Sequence, residues 1–216
     1  MPSDLGQRLA ERAAHEGLSV DENLSGKLVV YFELLQHWNR KINLTSLTDS
    51  DEAIDRLLLE PVAAARYLPH PARVADFGSG GGSPAIPLAL ASGTTGLLMV
   101  ESRLRKCAFL REAAREVGLR ATVESARFED VAVRTNYMAG FDLVSLRAIR
   151  HDEPALASAA ALLREDGVVA LFRGPLGHER FDASAANLAW RETQPLLRST
   201  RSRLTVLFHV ERQRIG

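Results

Sequence analysis

The sequence predicts an α/β fold: a doubly wound, mostly parallel sheet behind a helical N-terminal extension. Three observations carry this. Apolar residues recur at helical spacing before Pro69-His70-Pro71, short apolar runs alternate with helix-like stretches after it, and a glycine-rich turn follows the first of those runs. Strands and helices alternating at this spacing argue for parallel strands joined by right-handed crossovers. The division falls at residue 69, with an extension over 1–69 and one compact α/β unit over 70–216.

The elements follow in chain order. A first helix is expected over 3–16. A second carries Leu24, Leu28, Tyr31, Phe32, Leu35 and Trp38 on one face, at intervals of three and four. A third opens at Asp49-Ser50-Asp51-Glu52, where capping groups and acid suit a helix start, and runs to about Tyr67. Strands are expected at 73–76, 96–100, 121–123, 141–145 and 168–172, with helices over 103–117 and 153–163 among them. A final strand is expected over 203–210, where apolar and polar residues alternate.

Composition narrows the function. The chain has 216 residues, 27 basic and 27 acidic, so no net charge draws it onto nucleic acid or membrane. At 46% hydrophobic and 25% charged it is neither disordered nor fibrous. A single cysteine, Cys107, excludes a disulfide framework or a multi-cysteine metal site. The six histidines (15, 37, 70, 151, 178, 209) show no metal-ligand spacing, and His178-Glu179 is no zinc motif, so no metal is expected. The start, Met1-Pro2-Ser3-Asp4, lacks a basic segment leading into an apolar one, so a cytoplasmic protein with no membrane partner is expected.

The strongest chemical signal is Val74-Ala75-Asp76-Phe77-Gly78-Ser79-Gly80-Gly81-Gly82-Ser83-Pro84. A strand runs into a glycine turn and a helix opens near Pro84, since proline suits a helix's first turn. Glycines let a ligand approach with no Cβ in the way. The next strand ends at Glu101, where an acid can accept ribose hydroxyls. Together these make an adenosine-type site. Gly80-x-Gly82-x-x-Ala85 also fits a dinucleotide pattern, so a nicotinamide cofactor and an oxidoreductase stand as one alternative. Asp76 argues for the other, because it would repel a pyrophosphate and suit the ammonium and sulfonium of S-adenosylmethionine.

Four segments are recognisable together: Trp38-Asn39-Arg40-Lys41-Ile42-Asn43-Leu44-Thr45, Asp76-Phe77-Gly78-Ser79-Gly80-Gly81-Gly82, Glu101-Ser102-Arg103-Leu104-Arg105-Lys106 with Phe109-Leu110, and Ser145-Leu146-Arg147-Ala148. They resemble the ribosomal RNA small-subunit methyltransferase G family, also called glucose-inhibited division protein B, over roughly 24–174. The resemblance implies a Rossmann-like methyltransferase that uses S-adenosylmethionine to methylate N7 of one guanine in 16S ribosomal RNA. The expected partner is that RNA or the small ribosomal subunit, with no DNA, and the expected state is a monomer. By position, Gly78 and Ser83 fall where the family's loop contacts the donor, Phe128 and Glu129 border the adenine, and Arg147 matches an arginine after the fourth strand; Gly80, in the same glycine turn, is expected to bind the donor as well. Departures are concrete. Ser83 stands for a large apolar residue, Ala85 for glycine and Arg173 for lysine. Arg56-Leu57-Leu58-Leu59-Glu60-Pro61 stands for an R-H-x-x-D-S-like run, so its histidine is Leu57 and its serine Pro61.

Guanine N7 carries a lone pair and no proton, so its methylation requires no general base. Arg147 is then expected to position rather than to exchange protons, gripping a phosphate, a base or the donor carboxylate. Cys107, in a helix-like stretch, reads as a core thiol rather than a nucleophile. Phosphate-facing cations are sought at Arg40, Lys41, Arg103, Arg105, Lys106, Arg201 and Arg203, with Arg111, Arg115, Arg120, Arg198, Arg212 and Arg214 as further members of the same runs. Other targets remain as alternatives: another RNA, a small molecule, or RNA binding without turnover.

Overall fold

A computed structural model describes residues 4–174 and 181–210. Seven strands form one sheet: β1 (Arg73–Phe77), β2 (Gly96–Val100), β3 (Ala121–Glu124), β4 (Phe141–Arg147), β5 (Leu163–Arg173), β6 (Leu188–Pro195) and β7 (Arg203–His209). Their order is β3-β2-β1-β4-β5-β7-β6. The first five are parallel, and β7 runs antiparallel to both β5 and β6. The order reverses between β1 and β4, and ligands of such sheets bind at that reversal, beyond the strands' carboxyl ends.

Alternation along the strands assigns two faces. Val74, Met99, Leu143 and Val168 pack in a core shared with α1 (Asp4–His15), α2 (Glu22–Asn39), α5 (Ala85–Ser92) and α6 (Leu104–Glu116). Ala75, Phe77, Val144 and Leu171 face the other way, against α7 (Phe128–Ala132) and α8 (Glu153–Leu162). Asp76, Ser145 and Arg147 are in phase with Val74 and Leu143, so they project toward the face that carries the helical extension.

The extension has its own logic. Asp21 caps α2 by accepting the Leu24 N–H at 2.7 Å. Tyr31, Phe32 and Leu35 are buried on its core face, and Trp38 packs edge-on against Phe109 of α6. At its end Asn39 closes the following loop, with Oδ1 accepting the N–H groups of Leu44 and Thr45 and Nδ2 donating to the Thr45 carbonyl.

Three expectations need correction. The helix over 49–67 is not uniform: α3 (Asp51–Ile54) passes through a π turn over Asp55–Leu59 into α4 (Glu60–Ala64) and a 3₁₀ turn. Strand β6 was not expected, because Ala189-Trp190-Arg191-Glu192-Thr193-Gln194 has the polar composition of an edge strand rather than a buried apolar run. Finally, β5 begins at Leu163, where the preceding helix was expected to end. Of the C-terminal cations, Arg212 and Arg214 lie outside the described residues, as does His178.

Candidate active site

The glycine turn sits where the order of strands reverses. Gly78 and Ser79 donate their N–H groups to the Val100 carbonyl at 2.9 and 3.1 Å, which ties the turn to the end of β2. Gly82 has φ +85°, and a Cβ there would lie 2.9 Å from Ile86 Cδ1 and 3.2 Å from Tyr31 Cε2. Only glycine fits both the conformation and the space. The helical extension also holds the turn from above: the Tyr31 hydroxyl donates to the Gly81 carbonyl at 2.6 Å. Nothing in the spacing of Tyr31 reveals this role, since the same position also makes it a core residue.

Glu101 is the hub of the site. Its Oε2 accepts the Gly80 N–H at 3.0 Å and its Oε1 accepts the Arg103 N–H at 2.8 Å. It lies between two cavities. One, of about 380 Å³, is walled by Thr45, Gly80, Ser83, Lys106 and Arg147 as well as Glu101. The other, of about 260 Å³, is bounded by Gly78, Glu101, Phe128, Glu129 and Ile149. Phe128 is fixed by stacking on Phe77, with ring centres 4.9 Å apart. The expected residues Gly78, Gly80, Ser83, Glu101, Phe128, Glu129 and Arg147 therefore come together around adjoining spaces. A further cavity of about 350 Å³, against Arg73, Arg120 and Phe141, lies at the opposite edge of the sheet.

Asp76 behaves differently from its expected role as a direct ligand contact. It is 1% exposed and lines neither cavity. Its Oδ1 accepts the Ser145 hydroxyl at 2.6 Å, and Oδ2 has no partner. Burial pushes its carboxyl up to about 6, against the opposing hydrogen bond from Ser145. A carboxylate whose folded value is raised contributes stability below its unfolded value, and that contribution disappears as pH rises through the folded value. Ionised Asp76 therefore costs the free protein on the order of 3 kcal/mol above pH 6. Asp76→Asn is expected to gain stability relative to the wild type as pH goes from 5 to 8, measured by denaturant unfolding. Parallel curves for the two proteins would contradict this.

Arg147, at the end of β4, is not a surface ion pair. Its Nη2 donates to Glu60 Oε2 at 2.7 Å, and the two side chains are 15% and 1% exposed. Its Nη1 donates to the Arg56 carbonyl at 2.6 Å and reaches Ser83 Oγ at 3.4 Å. Desolvation by burial pulls its guanidinium below the ordinary arginine value, and the Glu60 charge opposes that.

These contacts explain two of the departures as a pair. Pro61 has no N–H to give to the carbonyls of Arg56 and Leu57, five and four residues before it. The helix responds with the π turn, in which the Glu60 N–H bonds to the Asp55 carbonyl. Arg147 takes the Arg56 carbonyl, and the Ser83 hydroxyl donates to the Leu57 carbonyl at 2.8 Å. Pro61 creates a vacant acceptor and Ser83 fills it. Asp55, at the start of the turn, is 2% exposed and paired with Arg12 of α1.

The cations divide. Arg103, Arg105 and Lys106 open α6 just beyond β2, and Arg201 and Arg203 open β7, whose start lies beside the end of β5. Arg40 and Lys41 follow α2 and lead into the loop walling the first cavity. Of the seven, Lys106 lines the first cavity and Arg203 pairs with Arg173 at the end of β5. Arg111, Arg115 and Arg120 lie farther from the end of β2, because α6 carries them away toward the start of β3. Cys107 is fully buried, its thiol donating to the Glu101 carbonyl. Among the described residues no group of three His, Cys, Asp or Glu could hold a metal ion, and no helix is long and apolar enough to cross a membrane.

A sequence model described as rRNA small subunit methyltransferase G (GidB) matches residues 25–202. The chain belongs to this family. A relative from Stenotrophomonas maltophilia (strain R551-3), named ribosomal RNA small subunit methyltransferase G, is 33% identical over 91% of this chain and 90% of its own length. One of the same name from Ruegeria sp. (strain TM1040) is 35% identical over 81% and 83%. Among solved structures, a TehB-like SAM-dependent methyltransferase from Corynebacterium glutamicum shares the fold, with a TM-score of 0.52 and 19% identity over 85% of this chain and 99% of that one. Membership of the methyltransferase G family makes the chain a methyltransferase and removes the nicotinamide alternative.

Proposed function

We propose that the protein transfers a methyl group from S-adenosylmethionine to N7 of a guanine in 16S ribosomal RNA, with RNA of the small ribosomal subunit as its acceptor. The observation that carries this reading is the pair of cavities meeting at Glu101 under a glycine turn. The site suits that donor. Gly78 and Gly80 line the first cavity in left-handed conformations that glycine suits, Glu101 offers carboxylate oxygens for hydroxyl donors, and the buried charge of Asp76 behind the turn favours a cation over a pyrophosphate. Gly78, Gly80, Ser83, Glu101, Phe128 and Glu129 are the residues that would hold it, and Asp76 acts on it through its field.

Bound there, S-adenosylmethionine supplies an electrophilic methyl on a sulfonium. The acceptor N7 has its lone pair free, so the chain has no proton to remove. Its contribution is alignment and exclusion of water, and positioning of this kind is worth about 7–11 kcal/mol. Arg147, clamped by Glu60 and the Arg56 carbonyl, is a rigid positioning residue between donor and acceptor spaces. Arg40, Lys41, Arg103, Arg105, Lys106, Arg201 and Arg203 are the cations that would meet phosphates of a structured RNA.

The test is transfer of labelled methyl to three acceptors: small ribosomal subunits lacking the modification, naked 16S RNA and bulk transfer RNA. Donor binding is followed by calorimetry on the same preparation. Label confined to small-subunit RNA is expected. Donor binding with label on transfer RNA alone, or on none of the three, would remove the ribosomal target.

A further inference from the structure

A third cavity, of about 320 Å³, adjoins the donor cavity and shares with it Arg56, Arg147, Ala148 and Ile149. Its remaining wall includes Glu60, His151, Phe172 and Arg173. Buried polar atoms without partners gather here: Glu60 Oε1, Arg56 Nε and His151 Nε2. Such atoms are rare in folded proteins, and each one is costly unless something satisfies it. Glu60 stands out. Its side chain is 1% exposed, one oxygen is committed to Arg147, and the other is unused. Arg173 is held beside it by the rings of Phe181 and Trp190, at 5.5 and 5.8 Å.

The chemistry of this wall is specific. An unpaired carboxylate oxygen accepts, while arginine and an imidazole N–H donate. Guanine presents N1–H and N2–H donors on one edge, with the O6 acceptor beside them and N7 on the far side. Adenine places an acceptor, N1, where guanine has its donor. A guanine whose N1–H and N2–H meet Glu60 and whose O6 faces the donor groups keeps N7, on its other edge, free of the Glu60 contact. Bases taken out of a helix are commonly read by this edge.

We propose that Glu60 Oε1 is the specificity contact for the acceptor base, taking the N1–H and N2–H edge of guanine in the cavity between Arg56 and Arg173. This rests on the methyltransferase reading above, with guanine as the acceptor. Arg147 then has two duties: it neutralises Glu60, and it fixes the orientation in which the free oxygen is presented.

The test uses the full chain saturated with S-adenosylhomocysteine and titrated with GMP, IMP and AMP, followed by NMR. Wild type is expected to bind GMP more tightly than AMP by at least about tenfold, one well-made hydrogen bond's worth. IMP, which lacks the N2 amine, is expected between them. Glu60→Gln turns an amide N–H toward the base and is expected to erase the GMP preference, with thermal unfolding showing that the variant is folded. Equal binding of GMP and AMP by the wild type, no binding of any of the three, or a preference that survives in Glu60→Gln would overturn the proposal. Should that variant fail to fold, the double variant Glu60→Met with Arg147→Met, which buries no lone charge, takes its place and is expected to bind GMP and AMP alike; a surviving preference there overturns the proposal equally. The two readings fail separately. A Glu60-dependent GMP preference without label on ribosomal subunits removes the ribosomal target and keeps the base contact, whereas label without a GMP preference does the reverse.

Discussion

Glu101→Ala is expected to weaken S-adenosylmethionine binding by on the order of 100-fold while leaving the fold intact. The residue lines both adjoining cavities, so its loss removes a carboxylate from each. It also removes the acceptor for the N–H groups of Gly80 and Arg103. Hydrogen bonds to a charged acceptor contribute about 1.5–3 kcal/mol each, and here two of them hold the turn in its ligand-ready shape. Glu101→Gln retains one carbonyl oxygen and is expected to fall between the wild type and alanine. Calorimetry reads the affinity and thermal unfolding reads the fold. An alanine variant that binds the donor like the wild type would show that Glu101 neither meets the donor nor shapes the turn for it.

Arg147→Ala should abolish methyl transfer and also destabilise the protein by about 3–5 kcal/mol. Removing the guanidinium leaves the Glu60 carboxylate charged and 1% exposed, with no counter-ion, and leaves the Arg56 carbonyl without its donor. For a chain of this size, that loss corresponds to a fall in Tm of roughly 10 °C. The double variant Glu60→Met with Arg147→Met separates the two effects. With neither charge buried alone, most of the stability should return, because an apolar pair of similar volume replaces a buried ion pair at little cost. Transfer should not return. A double variant as unstable as Arg147→Ala would show that the loss comes from the Arg56 carbonyl and the π turn rather than from an unpaired charge.

How much of this is legible in the sequence depends on the distance over which each signal acts. The glycine turn and Glu101 belong to one strand–helix–strand unit, so their relation is set by local pattern. Arg147 is legible as a residue at a strand end, but its partner is not, because Glu60 lies 87 positions earlier on a helix that reads as plain core. The same holds for Tyr31, 50 positions from the carbonyl it grips, and for Ser83, 26 positions from its acceptor. Ser83 and Pro61 look like two unrelated departures until the fold sets the Ser83 hydroxyl on a carbonyl that Pro61 leaves open. Asp76 shows the opposite difficulty. Its sequence position beside the turn suggests a ligand contact, yet strand phase turns it inward to Ser145. The edge strand β6 escapes notice because its stability comes from pairing with β7 rather than from an apolar run.

Nucleoside mass spectrometry shows directly whether the protein methylates guanine N7 in small-subunit RNA. Small ribosomal subunits lacking the modification would be incubated with the full chain and S-adenosylmethionine, and their RNA digested to nucleosides. 7-Methylguanosine is expected to approach one per subunit and to be absent when Arg147→Ala replaces the wild type. A different methylated nucleoside, or none although the donor binds, would contradict methylation at N7.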